Sequence, residues 1–140
     1  MYNKLTPNLM VSNVKETVTF YKDILGFEID SLVPETQDCV LKEIPQDREL
    51  VYALLKNNQV ELMFQYETNL KSDVTALADF NIGASATFYF EISGIKKFYN
   101  SIKDKAIIVK DLKRTWYGMD EFYIKDNNGY ILGFSEKSEA

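Results

Sequence analysis

The chain has 140 residues, of which 46% are hydrophobic and 26% charged, and its formal net charge is −5. These values are typical of one globular domain, and the acidic balance argues against binding to nucleic acid or to an anionic membrane. The chain contains no histidine, which excludes histidine-activated nucleophiles and zinc sites of the Cys/His type. Because Cys39 is the only cysteine and no apolar run has the length of a membrane span, we expect a cytoplasmic protein without disulfides.

The first half of the chain predicts a strand, a helix and three further strands. The predicted strands are residues 5–11, 27–33, 50–56 and 59–66. Apolar residues at helical spacing predict a helix over 14–25, with Asn13 as its N-cap and Gly26 at its C-terminal end. Its buried face is expected to be Val14, Val18, Tyr21 and Leu25. Asn57-Asn58 predicts a hairpin between the last two strands, and residues 34–49 predict an irregular loop.

The second half repeats this order. The predicted strands are residues 86–92, 106–110, 121–125 and 130–135, and the predicted helix is 95–103. Asp126–Gly129 predicts a turn before the last strand. Residues 68–85 form a linker that is expected to hold a short helix over 72–80. The sequence therefore predicts an α+β fold with two βαβββ modules, 1–67 and 86–140, packed as a single domain over 1–140.

Several segments resemble the vicinal oxygen chelate superfamily, which contains glyoxalases, bleomycin resistance proteins and extradiol dioxygenases. They are PNLMVSNV (7–14), TFYKDILGF (19–27), QVELMF (59–64), WYGMDEF (116–122) and DNNGYIL (126–132). The last two segments are similar to the C-terminal signature of the bleomycin-resistance branch. The resemblance implies two modules whose curved sheets form a cleft, and it implies a homodimer.

Metal enzymes of this superfamily place four ligands in the cleft. The resemblance carries those positions to Thr6, Glu61, Thr87 and Gly133. Only Glu61 is a strong ligand, and divalent transition metals need at least three good donors. We therefore expect neither a metal nor another cofactor. Glu61 itself has two interpretations, either a lone carboxylate that binds a cation or acts as a base, or a former ligand position that is now hydrogen-bonded or solvated.

Strand alternation divides the side chains between two sheet faces. The set expected under the helices is Leu9, Val11, Leu62, Phe64, Phe88, Phe90, Ile92, Leu132 and Phe134. The set expected to face the cleft is Thr6, Asn8, Met10, Glu61, Met63, Gln65, Thr87, Tyr89, Glu91, Gly133 and Ser135. The second set is polar, acidic and aromatic, as in a small-molecule site. Glu91 and Glu121 could add negative charge there, although surface positions are expected for both.

Trp116 and Tyr117 are the candidates for aromatic stacking. In the bleomycin-resistance branch, an aromatic ring at this signature stacks on a planar ligand group. Alignment on Gly118 gives that position to Tyr117, while Trp116 stands where proline is usual, so either ring could stack. The alternative is packing between modules or between subunits.

The sequence thus predicts a metal-free binding protein that sequesters an aromatic or cationic small molecule, such as a bleomycin-like antibiotic, and acts as a homodimer. The alternative is a metal-dependent lyase, isomerase or dioxygenase that uses Glu61. No catalytic residue is predicted. The predicted ligand-binding residues are Asn8, Glu61, Met63, Gln65, Thr87, Tyr89, Trp116, Tyr117 and Glu121.

Overall fold

A computed structural model describes residues 1–139, which form two four-stranded sheets and three α-helices. The chain divides into two compact units, Met1–Ile82 and a second unit that begins at Gly83. This confirms the predicted α+β fold with two modules. The prediction that both modules act as one domain stays a prediction. Within residues 1–139, no helix has both the length and the apolar character needed to cross a membrane.

The first unit contains one sheet with the strand order β1-β4-β3-β2. Its elements are β1 (Asn8–Val11), α1 (Val14–Asp23), β2 (Glu28–Pro34), β3 (Leu50–Asn57), β4 (Val60–Tyr66) and α2 (Glu67–Asp73). Strand β1 is parallel to β4, and the other pairs are antiparallel. The first strand is shorter than predicted, because pairing with β4 begins only at Asn8. The hairpin predicted at Asn57-Asn58 is present, and Asn58 has the positive φ that a tight turn requires.

Helix α1 follows its local sequence signals. Asn13 Oδ1 accepts a hydrogen bond from the Glu16 backbone N–H at 3.0 Å, as expected of an N-cap. All four predicted face residues are buried, and the ring of Tyr21 lies 4.7 Å from that of Phe64 on β4. Gly26, at φ +80°, lets the chain leave the helix in the left-handed conformation. The predicted helix and its buried face are confirmed, but the helix ends at Asp23 rather than at residue 25.

The short helix predicted over 72–80 was wrong in position. Helix α2 starts directly after β4 and ends at Asp73, and only a single 3₁₀ turn follows, at Thr75–Leu77. The reason is a buried amide. Gln65 Nε2 donates to Asn69 Oδ1 at 2.5 Å and to Asp73 Oδ2 at 2.7 Å, while its Oε1 accepts from Asn8 Nδ2 at 2.9 Å. These bonds anchor both turns of α2 to the sheet. The spacing of apolar residues, which predicts helices, gives no sign of such bonds.

The second unit contains a sheet with the order β5-β8-β7-β6. Its elements are β5 (Thr87–Glu91), α3 (Ile95–Ile102), β6 (Ile107–Arg114), β7 (Met119–Lys125) and β8 (Ile131–Lys137). Strand β6 extends four residues beyond its predicted end at Lys110, because bulges on both sides of Lys110 keep it paired with β7. The predicted turn at Asp126–Gly129 is present, with Asp126 Oδ1 accepting from the backbone N–H groups of Asn128 and Tyr130.

Helix α3 covers one face of this sheet. The Phe98 ring lies 5.2 Å from that of Phe134 and 6.0 Å from that of Phe122, so β7 and β8 send alternate residues toward the helix. The N-cap residue Gly94 has no side chain to cap the helix. Glu136 of β8 replaces it, because its carboxylate oxygens accept from the backbone N–H groups of Gly94 and Ile95 at 2.9 and 3.0 Å. These two backbone hydrogen bonds lower the pKa of Glu136.

Candidate functional site: a carboxylate within a tyrosine cluster

Strand pairing gathers aromatic and acidic residues on the face of the second sheet that lies away from α3. Gly133 of β8 pairs with Tyr89 on one side and with Tyr123 on the other. Ser135 pairs with Glu121 of β7. Residues that are opposite in paired strands share a face, so these side chains lie together. We call Tyr89, Tyr117 and Tyr123 the tyrosine cluster.

Gly133 leaves the space that two of these rings occupy. A Cβ atom at this position would lie 2.6 Å from Cε2 of Tyr123 and 3.0 Å from Cδ1 of Tyr89. The two ring centroids are 6.4 Å apart. A side chain at position 133 would therefore displace the rings. The position to which the family resemblance assigned a metal ligand instead forms the floor of the tyrosine cluster.

Glu121 is the charged centre of the cluster. The residue is 1% exposed, and its Oε2 accepts a hydrogen bond from the Tyr89 hydroxyl at 2.6 Å. Its Oε1 accepts from the Tyr117 hydroxyl at 2.5 Å and lies 4.0 Å from Lys110 Nζ. The expected surface position for Glu121 was wrong, because β7 directs this side chain to the sheet face where the tyrosines cover it. Glu91, by contrast, is exposed as expected.

Tyr117 reaches Glu121 from the turn between β6 and β7. Gly118 has φ +82°, and the backbone N–H of Thr115 donates to the Met119 carbonyl at 2.8 Å, which closes the turn. Tyr117 remains 50% exposed, and Trp116 beside it is 94% exposed, with the two rings edge to face at 5.3 Å. The structure thus assigns the contact with Glu121 to Tyr117. Which ring stacks on a ligand stays a prediction.

The Glu121 carboxylate holds the surrounding phenols in their neutral form. Its hydrogen bond raises the pKa of Tyr117 to about 12. Burial, followed by the hydrogen bond to Glu121, raises the pKa of Tyr89. Burial and the charge of Glu121 raise the pKa of Tyr123. Each phenol favours its protonated form because ionisation would place a second negative charge beside the carboxylate.

We expect the Tyr117 phenol to ionise about two pH units later than an ordinary tyrosine, since its pKa moves from 10.0 to about 12. A raised folded-state pKa gives stability that is complete below pH 10.0 and is lost as the pH rises through about 12. Ultraviolet titration of tyrosinate absorbance should show a late phenol that is missing in Tyr117→Phe. Tyr117→Phe should also lose less stability over that alkaline interval. Superimposable curves for the two proteins would contradict this assignment.

Glu61, in the first unit, is not a lone carboxylate. Lys4 Nζ, in the segment before β1, lies 2.7 Å from Glu61 Oε2. The structure therefore agrees with the second interpretation of Glu61, a hydrogen-bonded former ligand position. Tyr52 of β3 shares this sheet face, and burial together with the negative charges of Asp30 and Glu61 raises its pKa. Sequence reasoning had assigned no role to Lys4 or Tyr52.

The donor set implied by the family does not fit a metal ion. In the first unit, Glu61 is the single strong donor, and Lys4 Nζ already pairs with it at 2.7 Å. In the second unit, Thr87 pairs with Ile131, while Gly133, two residues further along β8, has no side chain to donate. Among residues 1–139, no three His, Cys, Asp or Glu side chains gather into a group that could hold a metal ion.

The other predicted site residues lie in different surroundings. Gln65 is buried and bonded to α2, and Asn8 donates to it. Met63 is half-buried on β4, and Thr87 is exposed at the start of β5. Their part in ligand binding stays a prediction. Sequence reasoning missed Tyr123 and Lys110. Tyr123 could have been found, because it stands two residues after Glu121 on the same strand and therefore shares its face.

Comparisons with known proteins agree with this fold. A family model described as "Glyoxalase/Bleomycin resistance protein/Dioxygenase superfamily" matches residues 4–134. No curated protein sequence matches the chain. TioX from Micromonospora sp. ML1 is similar in structure, with 13% identity, a TM-score of 0.68 and coverage of 97% of this chain and 99% of that chain. A glyoxalase/bleomycin resistance protein/dioxygenase family enzyme from Burkholderia phytofirmans PsJN has 13% identity and a TM-score of 0.70. The match covers 94% of this chain and 96% of that chain.

A putative glyoxalase family protein from Bacillus anthracis has 19% identity, a TM-score of 0.63 and coverage of 99% of this chain and 100% of that chain. At these identities the solved structures show the fold alone, whereas the family match spans nearly the whole chain. The resemblance seen in the sequence, the paired βαβββ topology and the family match all lead to one assignment. The chain belongs to the glyoxalase/bleomycin resistance protein/dioxygenase superfamily.

Proposed function

We propose that this protein binds and sequesters a small molecule that carries an aromatic or cationic group, such as a bleomycin-like antibiotic. One observation carries the proposal. Glu121 is 1% exposed, yet the two tyrosines that donate hydrogen bonds to it, Tyr89 and Tyr117, are 48% and 50% exposed. A buried carboxylate thus fixes the hydroxyl ends of two rings whose remaining surfaces are open to a ligand.

Rings held in this way suit an aromatic or cationic partner. Aromatic stacking contributes about 0.5–1.5 kcal/mol beyond area burial, and a cation over a ring face contributes about 0.5–2 kcal/mol. A hydrogen bond from a phenol to a carboxylate shifts electron density into the ring, which strengthens the attraction for a cation. Because the hydroxyl groups are already fixed, the rings lose little conformational freedom when a ligand binds.

The contacts of the carboxylates favour binding over chemistry. Glu61 is engaged by Lys4, and Glu121 accepts from two phenols, so each is already bonded to a neighbouring side chain. The chain has no histidine that could serve as a base. Sequestration needs no proton transfer and is compatible with both arrangements. We also propose that the protein is a homodimer, which the family resemblance supports. A cytoplasmic location is supported by the single cysteine, because it cannot form an intramolecular disulfide.

Fluorescence of Trp116, the only tryptophan, tests the proposal. Its ring lies 5.3 Å from that of Tyr117, so a ligand on the tyrosine cluster should change its emission. We expect titration with bleomycin to give a saturable change at about one ligand per chain. Tyr117→Ala should weaken the binding. The matched control is Tyr99→Phe, because Tyr99 bonds to Asp111 and packs against Phe122 on the helix-covered face.

A flat bleomycin titration would exclude this antibiotic as the ligand. The broader proposal of an aromatic or cationic ligand would fail if, in addition, no aromatic amine raised the melting temperature in a saturable way.

A further inference from the structure

We infer that the tyrosine cluster contains a subsite for a methylated organic ammonium group, and that the side chain of Lys110 holds this subsite until a ligand displaces it. The inference rests on the proposed function, because it concerns the same site. Neither Lys110 nor Tyr123 carries a family signature in this chain.

The position of Lys110 defines the subsite. Lys110 of β6 pairs with Tyr123 of β7. Its Nζ lies 5.8 Å from the centroid of the Tyr123 ring and 4.0 Å from Glu121 Oε1. An ammonium ion bound in an aromatic site makes these same two contacts, one with a ring face and one with a carboxylate. The protein's own ammonium group therefore marks where a ligand cation would be stabilised.

Lys110 is held loosely there. A distance of 4.0 Å to Glu121 is too long for a hydrogen bond, and the Lys110 side chain is 46% exposed. Ion pairs of this kind contribute little stability, so the side chain can move into water at small cost. Its departure leaves Glu121 with two hydrogen bonds, from Tyr89 and from Tyr117. Lys4 differs from Lys110 in this respect, because its ammonium group lies within hydrogen-bond distance of Glu61, at 2.7 Å.

The hydrogen bonds of Glu121 favour a methylated ammonium over a primary one. Each carboxylate oxygen already accepts a tyrosine hydroxyl, at 2.5 and 2.6 Å, so only about two of its four lone-pair positions remain for further donors. A primary ammonium brings three donors that need acceptors, and losing their hydration without replacement is costly. A quaternary or otherwise methylated ammonium has few or no such donors. It interacts through charge and through contact with the ring face, which are the interactions that this subsite provides.

Choline and its neutral isostere 3,3-dimethylbutan-1-ol test the inference. Their binding would be followed by NMR in the intact wild-type protein and in Lys110→Gln. Removing the competing ammonium group should strengthen choline binding about fivefold, which is the effect of one unit charge near the site in high dielectric. The isostere should show no saturable binding. The matched control is Lys103→Gln, which removes the same charge at the end of α3, on the helix-covered side of the sheet.

The outcomes separate the two proposals. Unchanged or weaker choline binding in Lys110→Gln overturns the role of Lys110, and equal binding of the isostere overturns the cation subsite. Lys110→Arg keeps the positive charge but changes the shape of the side chain. Wild-type affinity for choline in this variant would show that the charge sets the affinity. If bleomycin binds but choline does not, the subsite is wrong and the proposed function stands. If choline binds as expected but bleomycin does not, the subsite stands and the antibiotic is excluded.

Discussion

Replacement of Glu121 by alanine is expected to weaken ligand binding about 30-fold or more, the size of effect seen when a central residue of a binding site is truncated. Glu121 fixes Tyr89 and Tyr117 through their hydroxyl groups and supplies the negative charge of the cluster. Its removal frees two rings and eliminates the attraction for a cation at the same time. The titration that follows Trp116 measures this loss, since Trp116 is 94% exposed and contacts Tyr117 rather than Glu121.

The fold should withstand this change better than the site does. Removing Glu121 also removes the cost of burying a polar carboxyl group that is 1% exposed. The hydroxyl groups of Tyr89 and Tyr117 belong to half-exposed residues, so water can replace the lost acceptor. We therefore expect a small change in melting temperature beside a large change in affinity.

Two further variants show whether the loss of affinity comes from Glu121 itself or from the change in overall charge. Glu121→Gln keeps the shape and an acceptor oxygen, so it should bind a cationic ligand better than the alanine variant but less tightly than the wild type. Glu91→Ala is the matched control, because it removes an exposed carboxylate from β5 on the same sheet. Wild-type affinity in Glu121→Ala would overturn the site. Equal weakening in both alanine variants would show that only overall charge matters.

Local sequence signals were sufficient for the elements that they encode. Asn13 and Gly26 mark the ends of α1, and Asp126 makes the hydrogen bonds of its own turn. Each of these interactions joins residues that lie close in the chain. Position and type of such elements can therefore be predicted from the sequence alone.

The errors arose where distant residues interact. Helix α2 was misplaced because Gln65 connects it to β1 through Asn8, 57 residues away along the chain. Glu61 was taken as a possible lone carboxylate because its partner, Lys4, lies in the segment before the first strand. Glu121 was expected at the surface because its burial depends on Tyr89, 32 residues earlier. These contacts depend on how separate strands and segments come together, and the alternation of residues within one strand does not show this.

At Gly133, two aromatic rings lie where the family resemblance implies the side chain of a metal ligand. The resemblance identified it as a former ligand position that had lost its donor. In the structure, the missing side chain allows Tyr89 and Tyr123 to pack over β8, each of them close to Glu121 or bonded to it. A side chain at position 133 that could donate to a metal ion would occupy the space of these two rings. A metal ligand at this position and the tyrosine cluster therefore exclude each other.

Gly133→Ala is accordingly expected to weaken binding about tenfold, since sites lose much of their affinity when their geometry shifts by about 1 Å. Its Cβ would lie 2.6 Å from Tyr123 Cε2, and the ring must move to relieve the contact. The clashing atoms belong to rigid aromatic rings rather than to the ends of flexible side chains, so stability should fall by about 1–3 kcal/mol. Thermal unfolding and the bleomycin titration measure the two effects separately.

A double-mutant cycle decides whether displacement of the ring causes this loss. In the Tyr123→Ala background the closest atom is gone, so adding Gly133→Ala should weaken binding less than it does in the wild type. The remaining contact, 3.0 Å from the new Cβ to Tyr89 Cδ1, predicts a residual effect rather than none. Strict additivity of the two changes would mean that Gly133 acts independently of the Tyr123 ring, and displacement of that ring would then not be the cause of the loss.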